Sequence, residues 1–229
     1  MKVLAIDTSN NVLGVALLNE TTVIGEYITN LKKNHSVRAM SAIEQLLAEC
    51  DTEVKELTKI IVATGPGSYT GVRIGVSIAK TLAWSLNIPI IGVSSLEVLA
   101  QNGRYFNGLI CPVFDARRGL VYTGLYKQEK GIIVNKKEDQ NILLADWLNE
   151  LSQFNEQILF LGNDVVLHTE LIKEILSDQA VIGTVSLHNP RPGELGMIGF
   201  QKTDSVVHEL VPNYIRLAEA EAKWLEERK

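Results

Sequence analysis

Short apolar runs alternate with polar breaks from the first residues onward. Residues 3–6, 12–18 and 22–28 are apolar-rich, separated by Asp7-Thr8-Ser9-Asn10-Asn11 and by Asn19-Glu20. Three such runs with short links predict an antiparallel meander. The pattern then lengthens to helical spacing over 36–50, with Ser36 as its start and Val37, Met40, Ile43 and Leu47 as a core-facing stripe. Residues 60–63 read as a buried strand that stops at Gly65-Pro66-Gly67. A second, more apolar helix is expected over 70–86, capped by Ser68 or Thr70. Residues 89–93 form a short strand, and Ser94-Ser95 opens a helix to about 102.

The order strand, strand, strand, helix, strand, helix then recurs with weaker punctuation. Strands are expected at 109–114 and 120–126 around the turn Asp115 to Gly119, with a short third at 132–134. A helix at 144–151, a strand at 158–161 and a helix at 165–176 follow. Residues 195–200 suit a short helix, and 218–227 a solvent-facing tail helix. The pattern implies a mixed α/β protein in two similar halves.

The helix at 70–86 differs from the others. Gly71, Gly75, Ala79 and Ala83 recur every fourth residue and make a narrow small-residue stripe. Ile74, Ile78 and Leu82 form a second apolar row beside it. A helix apolar on more than one side is either deeply buried or packed against a partner subunit.

The loop before that helix, Gly65-Pro66-Gly67-Ser68-Tyr69-Thr70-Gly71, is neither of the common phosphate loops. Lys80 comes too late for one, and the glycine spacing does not suit the other. It is either a plain glycine-rich connection or a helix start able to receive an anion. The turn Asp7-Thr8-Ser9 offers a carboxylate, two hydroxyls and successive amides. Such a turn can hold a phosphate or a magnesium ion, or can satisfy its own backbone.

Composition narrows the function classes. In 229 residues, 22 basic side chains stand against 27 acidic ones, a formal charge of -5. That disfavours nonspecific nucleic-acid binding, which needs a basic field. Cys50 and Cys111 read as reduced thiols. The residue four after His35 is Ala39, so a His-x-x-x-His metal pair is missing, and no metal site is expected. Ser68 is not in a G-x-S-x-G setting, and no residue invites a proton-transfer role. Arg117 and Arg118 are adjacent and diverge in a turn. The chain enters a strand directly, without a signal-peptide pattern or an apolar run of bilayer length, so a cytoplasmic protein is the expectation.

Four segments carry a resemblance. Val3-Leu4-Ala5-Ile6-Asp7-Thr8-Ser9, Gly65 to Gly75, Asp115-Ala116-Arg117-Arg118 with Val121-Tyr122, and Pro212-Asn213-Tyr214-Ile215-Arg216 resemble the TsaB (YeaZ) family, in order along essentially the whole chain. The resemblance implies an α/β fold of two related actin-like lobes (ASKHA, ribonuclease H-like) with mixed sheets and flanking helices. The N-terminal lobe would span 1–105 and carry the main partner interface. The C-terminal lobe would span 106–229 and end in a helix.

It further implies a non-catalytic scaffold subunit for N6-threonylcarbamoyladenosine synthesis at position 37 of ANN-decoding tRNAs. Such a subunit binds and activates the catalytic TsaD, is joined by the ATPase TsaE, and forms a homodimer alone. Transfer RNA would be contacted mainly through the complex, and no membrane is involved. The implied interface comprises Met40, Gly71, Arg73, Gly75, Ile78, Ala79, Leu82 and Ala83, with Gly65, Pro66, Gly67, Ser68, Tyr69 and Thr70 shaping the adjoining loop. Asp7, Thr8 and Ser9 would be a vestigial nucleotide turn. No intrinsic cofactor is implied; ATP or ADP would sit at a subunit interface of the complex. The alternative is an autonomous ATP-dependent enzyme or a peptidase of the same superfamily.

Overall fold

The computed structural model describes residues 1–31 and 33–215. In the first half, β1 (Lys2–Asp7), β2 (Val12–Leu18) and β3 (Val23–Asn30) precede α1 (His35–Glu49), β4 (Leu57–Ala63), α2 (Tyr69–Leu86), β5 (Ile90–Val93) and α3 (Ser95–Ala100). The second half runs β6 (Leu109–Asp115), β7 (Leu120–Glu129), β8 (Ile132–Leu143), α4 (Leu144–Leu151), β9 (Ile158–Leu161), α5 (Thr169–Leu176) and β10 (Ala180–Ile182), followed by α6 (Pro192–Gly199).

Each half builds one five-stranded sheet, ordered β3-β2-β1-β4-β5 and β10-β9-β6-β7-β8. In both, the first three strands pair antiparallel and the last two run parallel to the first. Both faces of the first sheet are covered, which is why β1 and β4 read as continuous apolar runs rather than alternating ones. Leu4, Ile6, Ile60 and Val62 pack under α1 and α2. Val3, Ala5, Ile61 and Val93 pack on the other side against Val98 of α3 and Leu195 and Ile198 of α6. On the second sheet, Leu109, Val113, Ile158 and Phe160 meet α4 and α5. Its inner face, with Ile110, Phe114 and Leu159, meets Leu96, Leu99 and Ala100 of α3. Helix α3 is thus buried between the two sheets.

Several elements differ from the sequence expectation. α1 begins at His35 under an Asn34 cap whose side chain accepts from the Ser36 amide at 3.1 Å. Its inward stripe is Ala39, Ala42, Ile43, Leu46 and Leu47. Val37 and Met40 lie outside it, 74% and 40% exposed. Two stripes shared Ile43 and Leu47, and the one with alanines wins because it lets the helix sit closer to the sheet. β8 is far longer than 132–134, because an edge strand with one open face tolerates the polar run Asn135 to Asn141. β10 is half-buried and only three residues long, Ala-Val-Ile, too short an apolar run to read as a strand. Residues 163–168 form a 3-10 turn ahead of α5, and α6 starts at Pro192, whose missing N–H is harmless in a first turn. The division at 105 assigned α6 to the second lobe, whereas it packs on the first sheet. Leu210 likewise returns to the first core. The expected tail helix at 218–227 lies outside the described residues.

Candidate partner-binding helix and interlobe cleft

Ser68 caps α2: its hydroxyl accepts from the Gly71 amide at 3.2 Å. At the other end Asn87 takes a left-handed conformation, φ 52°, that stops the helix. Between them the small-residue stripe faces inward. A Cβ on Gly71 would stand 2.2 Å from the Thr8 carbonyl oxygen, and one on Gly75 would stand 2.6 Å from Thr8 Oγ1. Thr8 Oγ1 donates to the Gly71 carbonyl at 2.7 Å. The helix backbone therefore lies directly on the turn after β1. Ala79 and Ala83 continue the stripe, fully buried against the first sheet.

This corrects the interface expectation for Gly71, Gly75, Ala79 and Ala83. The close approach that their periodicity signals is made within the chain. Ile78 and Leu82 flank the stripe, half-buried against the same core. Arg73 is exposed, as are Thr70, Ser77, Thr81 and Ser85. Trp84, which the sequence reading passed over, is 68% exposed on this outer side. With Met40 and Val37 of the neighbouring α1, Trp84 sets exposed apolar side chains among the hydroxyls on the outer side of the two helices. An exposed tryptophan outside the expected stripe was the available signal.

Arg73 is held by stacking. Its guanidinium lies 3.9 Å over the centre of the Tyr69 ring, and its Nε donates to the Tyr214 hydroxyl at 2.5 Å. The two rings are themselves 5.2 Å apart. Asn213 N donates to the Thr64 carbonyl at 2.7 Å, and Lys80 Nζ donates to the His208 and Leu210 carbonyls. Residues 208–214 are in this way strapped across α2 and its loop. Gly65 at φ +100° and a cis Gly65–Pro66 bond shape the loop, and a Cβ on Gly67 would stand 2.1 Å from the Ser9 carbonyl oxygen.

The Asp7-Thr8-Ser9 turn is buried and largely self-satisfied. Asp7 Oδ1 accepts from the Ser9 amide at 2.8 Å and the Ser9 hydroxyl at 2.7 Å. The Ser9 carbonyl accepts from the Ser68 amide. Asp7 Oδ2 has no partner among the described residues, and burial pushes the carboxyl above its ordinary range, against the opposing pull of the Ser9 bonds and His35. His35 Nε2 donates to the Asn10 carbonyl at 2.7 Å, while Nδ1 is buried without a partner among the described residues.

Between the lobes opens a cleft of about 510 Å³, lined by Asn10, Ser68, Tyr69, Thr70, Asp115, Arg117 and Asp164 among others. Arg117 and Arg118 both take left-handed backbone conformations, φ 64° and 57°, in the turn between β6 and β7. Asp164 Oδ2 accepts from the Asp115 amide at 3.0 Å, and His168 Nε2 stands 3.3 Å from Asp115 Oδ1. Among the described residues no group of three or more His, Cys, Asp or Glu is arranged to hold a metal ion. Nor is any described helix long and apolar enough to cross a membrane.

The family model described as "TsaD: tRNA N6-adenosine threonylcarbamoyltransferase" matches residues 22–224. The chain is 61% identical over 229 residues to the tRNA threonylcarbamoyladenosine biosynthesis protein TsaB of Bacillus subtilis, covering 100% of both. To the protein of the same name from Escherichia coli it is 31% identical over 222 residues, covering 94% of this chain and 95% of that one. The solved structure of YeaZ from Pseudomonas aeruginosa superposes with a TM-score of 0.76 at 25% identity, over 93% of this chain and 99% of the other. The duplicated lobes are an actin-like fold.

Proposed function

The chain belongs to the TsaB family, and on that premise we propose that it is a non-catalytic scaffold subunit in the synthesis of N6-threonylcarbamoyladenosine in tRNA. The observation that carries this reading is that α1 and α2 leave large apolar side chains uncovered: Val37, Met40 and Trp84 are exposed, and Ile78 and Leu82 are half-buried. Uncovered apolar side chains on adjacent helices are what a partner subunit buries. The partner in this reading is the catalytic TsaD, with TsaE joining the pair and a second copy of the chain taking the same surface when TsaD is missing.

The chemistry inside the chain supports a scaffold over the rival ATP-dependent enzyme or peptidase. The Thr8 and Ser9 hydroxyls donate within the molecule, and Ser68 serves as a helix cap. Two carboxylates and one Arg117 line the cleft, which is an unfavourable balance for a polyphosphate. In this reading a nucleotide used by the complex sits at a subunit interface, and tRNA is gripped mainly by TsaD. The test is reconstitution of threonylcarbamoyl transfer with TsaD, TsaE, threonylcarbamoyl-adenylate synthase, ATP, threonine, bicarbonate and an ANN-decoding tRNA. Transfer should require this chain, and the chain alone should neither modify tRNA nor hydrolyse ATP. Transfer unchanged on its omission would refute the proposal.

A further inference from the structure

We propose that Asp139 is a positioning residue for the α2 surface: it pins strand β8 of the second lobe to the start of α3 and thereby fixes the Gly65–Gly71 loop. Nothing in the family resemblance points to this residue. It sits on an edge strand, in a polar run.

The pin is a chain of hydrogen bonds. Asp139 Oδ2 accepts from the Ser94 hydroxyl, and Oδ1 accepts from the Tyr126 hydroxyl of β7. Ser94 is at the same time the cap of α3, its oxygen accepting from the Leu96 and Glu97 amides at 3.2 and 3.3 Å. Its donor and acceptor capacity is therefore fully used. The next residue, Ser95, is buried and exchanges two bonds with the loop: the Gly65 amide donates to Ser95 Oγ at 3.1 Å, and the Ser95 amide donates to the Gly65 carbonyl at 3.0 Å. From Gly65 the loop reaches Ser68 and Gly71, which hold the Ser9 and Thr8 turn and start α2.

The surroundings mark the link as more than packing. Asp139 and Ser94 line a cavity of about 420 Å³, shared with Glu97, Glu138, Lys202 and Asn213. Glu97 is neutralised by Lys202 at 2.7 Å. Gly124 leaves room for the carboxylate, since a Cβ there would stand 2.7 Å from Asp139 Oδ1. A carboxylate accepting from two hydroxyls at a lobe boundary is a stronger tie than neutral contacts of the same size. Through this tie a side chain of the β7–β8 hairpin reaches the cap of α3, a helix shared by both lobes.

The functional half of this inference rests on the partner-facing reading of α2; the structural half does not. The experiment is amide hydrogen exchange on the isolated full chain at one pH. Asp139→Leu removes both acceptors at similar size, and exchange of the 65–71 amides should rise about tenfold or more, the equivalent of one lost charge-assisted bond. Asp139→Asn keeps an acceptor for Ser94 and should stay within about threefold of the natural chain. Peptides of α4 and β9 should be unchanged in both variants.

Exchange at 65–71 that stays flat in a folded Asp139→Leu protein would overturn the proposal. So would an equal rise in Asp139→Asn, which retains an acceptor for the Ser94 hydroxyl. Should Asp139→Leu fail to fold, Ser94→Asp retains a capping acceptor but sets a like charge against Asp139. Loop exchange should then rise by a similar factor, and a flat response would again overturn the pin. Association with TsaD is measured on the same proteins. A rise in loop exchange with unaltered association would uphold the pin and count against the α2 reading, so the two failures are distinguishable.

Discussion

Two substitutions on opposite sides of α2 separate partner contact from internal packing. A tryptophan side chain buries about 200 Å² when enclosed, and Trp84 is 68% exposed. Burying that remainder against a partner at about 25 cal/mol per Å² gives about 3 kcal/mol, or roughly a hundredfold in Kd. Trp84→Ala should therefore weaken association by up to that factor while moving the folding free energy by no more than about 0.5 kcal/mol, as a surface change does. Gly75→Ala is the inverse case. Its Cβ would stand 2.6 Å from Thr8 Oγ1, in a buried contact that also carries the Thr8–Gly71 bond. It should lose about 1–3 kcal/mol of stability through overpacking. A bulkier variant at Gly75 would disturb the fold itself and report nothing direct about an interface. Sedimentation velocity on the chain alone and with TsaD gives the association constants, and denaturant melts give the stabilities. If Trp84→Ala binds both partners within twofold of the natural chain, the outer face of α2 is not the interface.

Two further expectations follow from buried titratable groups. Burial raises the Asp7 carboxyl above its ordinary value of 3.8, so the folded chain holds that proton more tightly than the unfolded one. Stability from this group is therefore greatest at low pH and falls as pH rises from about 4 through the folded value. Asp7→Asn keeps an oxygen for the Ser9 bonds and should gain on the natural chain in denaturant midpoint between pH 4 and pH 7; a pH-independent difference would refute this. The Cys111 thiol is pushed up to about 11 by burial and contacts Thr123 and Trp147. In native protein near pH 8 a thiol reagent should label half-buried Cys50 first, with Cys111 labelled at the rate of unfolding, as peptide mass mapping would show; prompt labelling of Cys111 would refute it.

Much of the fold was legible because its local signals were redundant. β1, β2 and β4 are covered on both faces, so the strands are unbroken apolar runs, and Ser68 and Asn87 bracket α2 with a cap and a left-handed stop. Only the start of β8, 132–134, was legible, because the rest of this edge strand carries polar residues, Lys136, Lys137, Glu138 and Asp139 among them. The α1 stripe was misread because helical spacing alone cannot choose between two overlapping rows. Alanines fit a close helix–sheet contact, and that choice is tertiary. The glycine stripe of α2 told truly of close backbone approach but not of what approaches. Asp139 left no local trace at all, since its partner Ser94 is 45 residues away.

The duplication explains why one lobe carries the candidate interface. After β4 and again after β9, a glycine lies against a carbonyl in the parent strand or just beyond it: Gly67 against Ser9, Gly162 against Val113, each leaving only 2.1–2.2 Å for a Cβ. Both lobes thus use the same tight return. The outcomes then diverge. In the second lobe the return runs into the 3-10 turn at 163–168 and an eight-residue α5, with Asp164 spent on the Asp115 amide. In the first it launches the 18 residues of α2, whose glycines and alanines bring one face hard against the sheet. A helix seated that closely turns its larger side chains to the flanks and outward: Ile78 and Leu82 pack half-buried on the core shared with α1, and Trp84 is exposed. The small-residue stripe therefore does serve the surface that a partner would use, by seating the helix that carries it rather than by touching the partner.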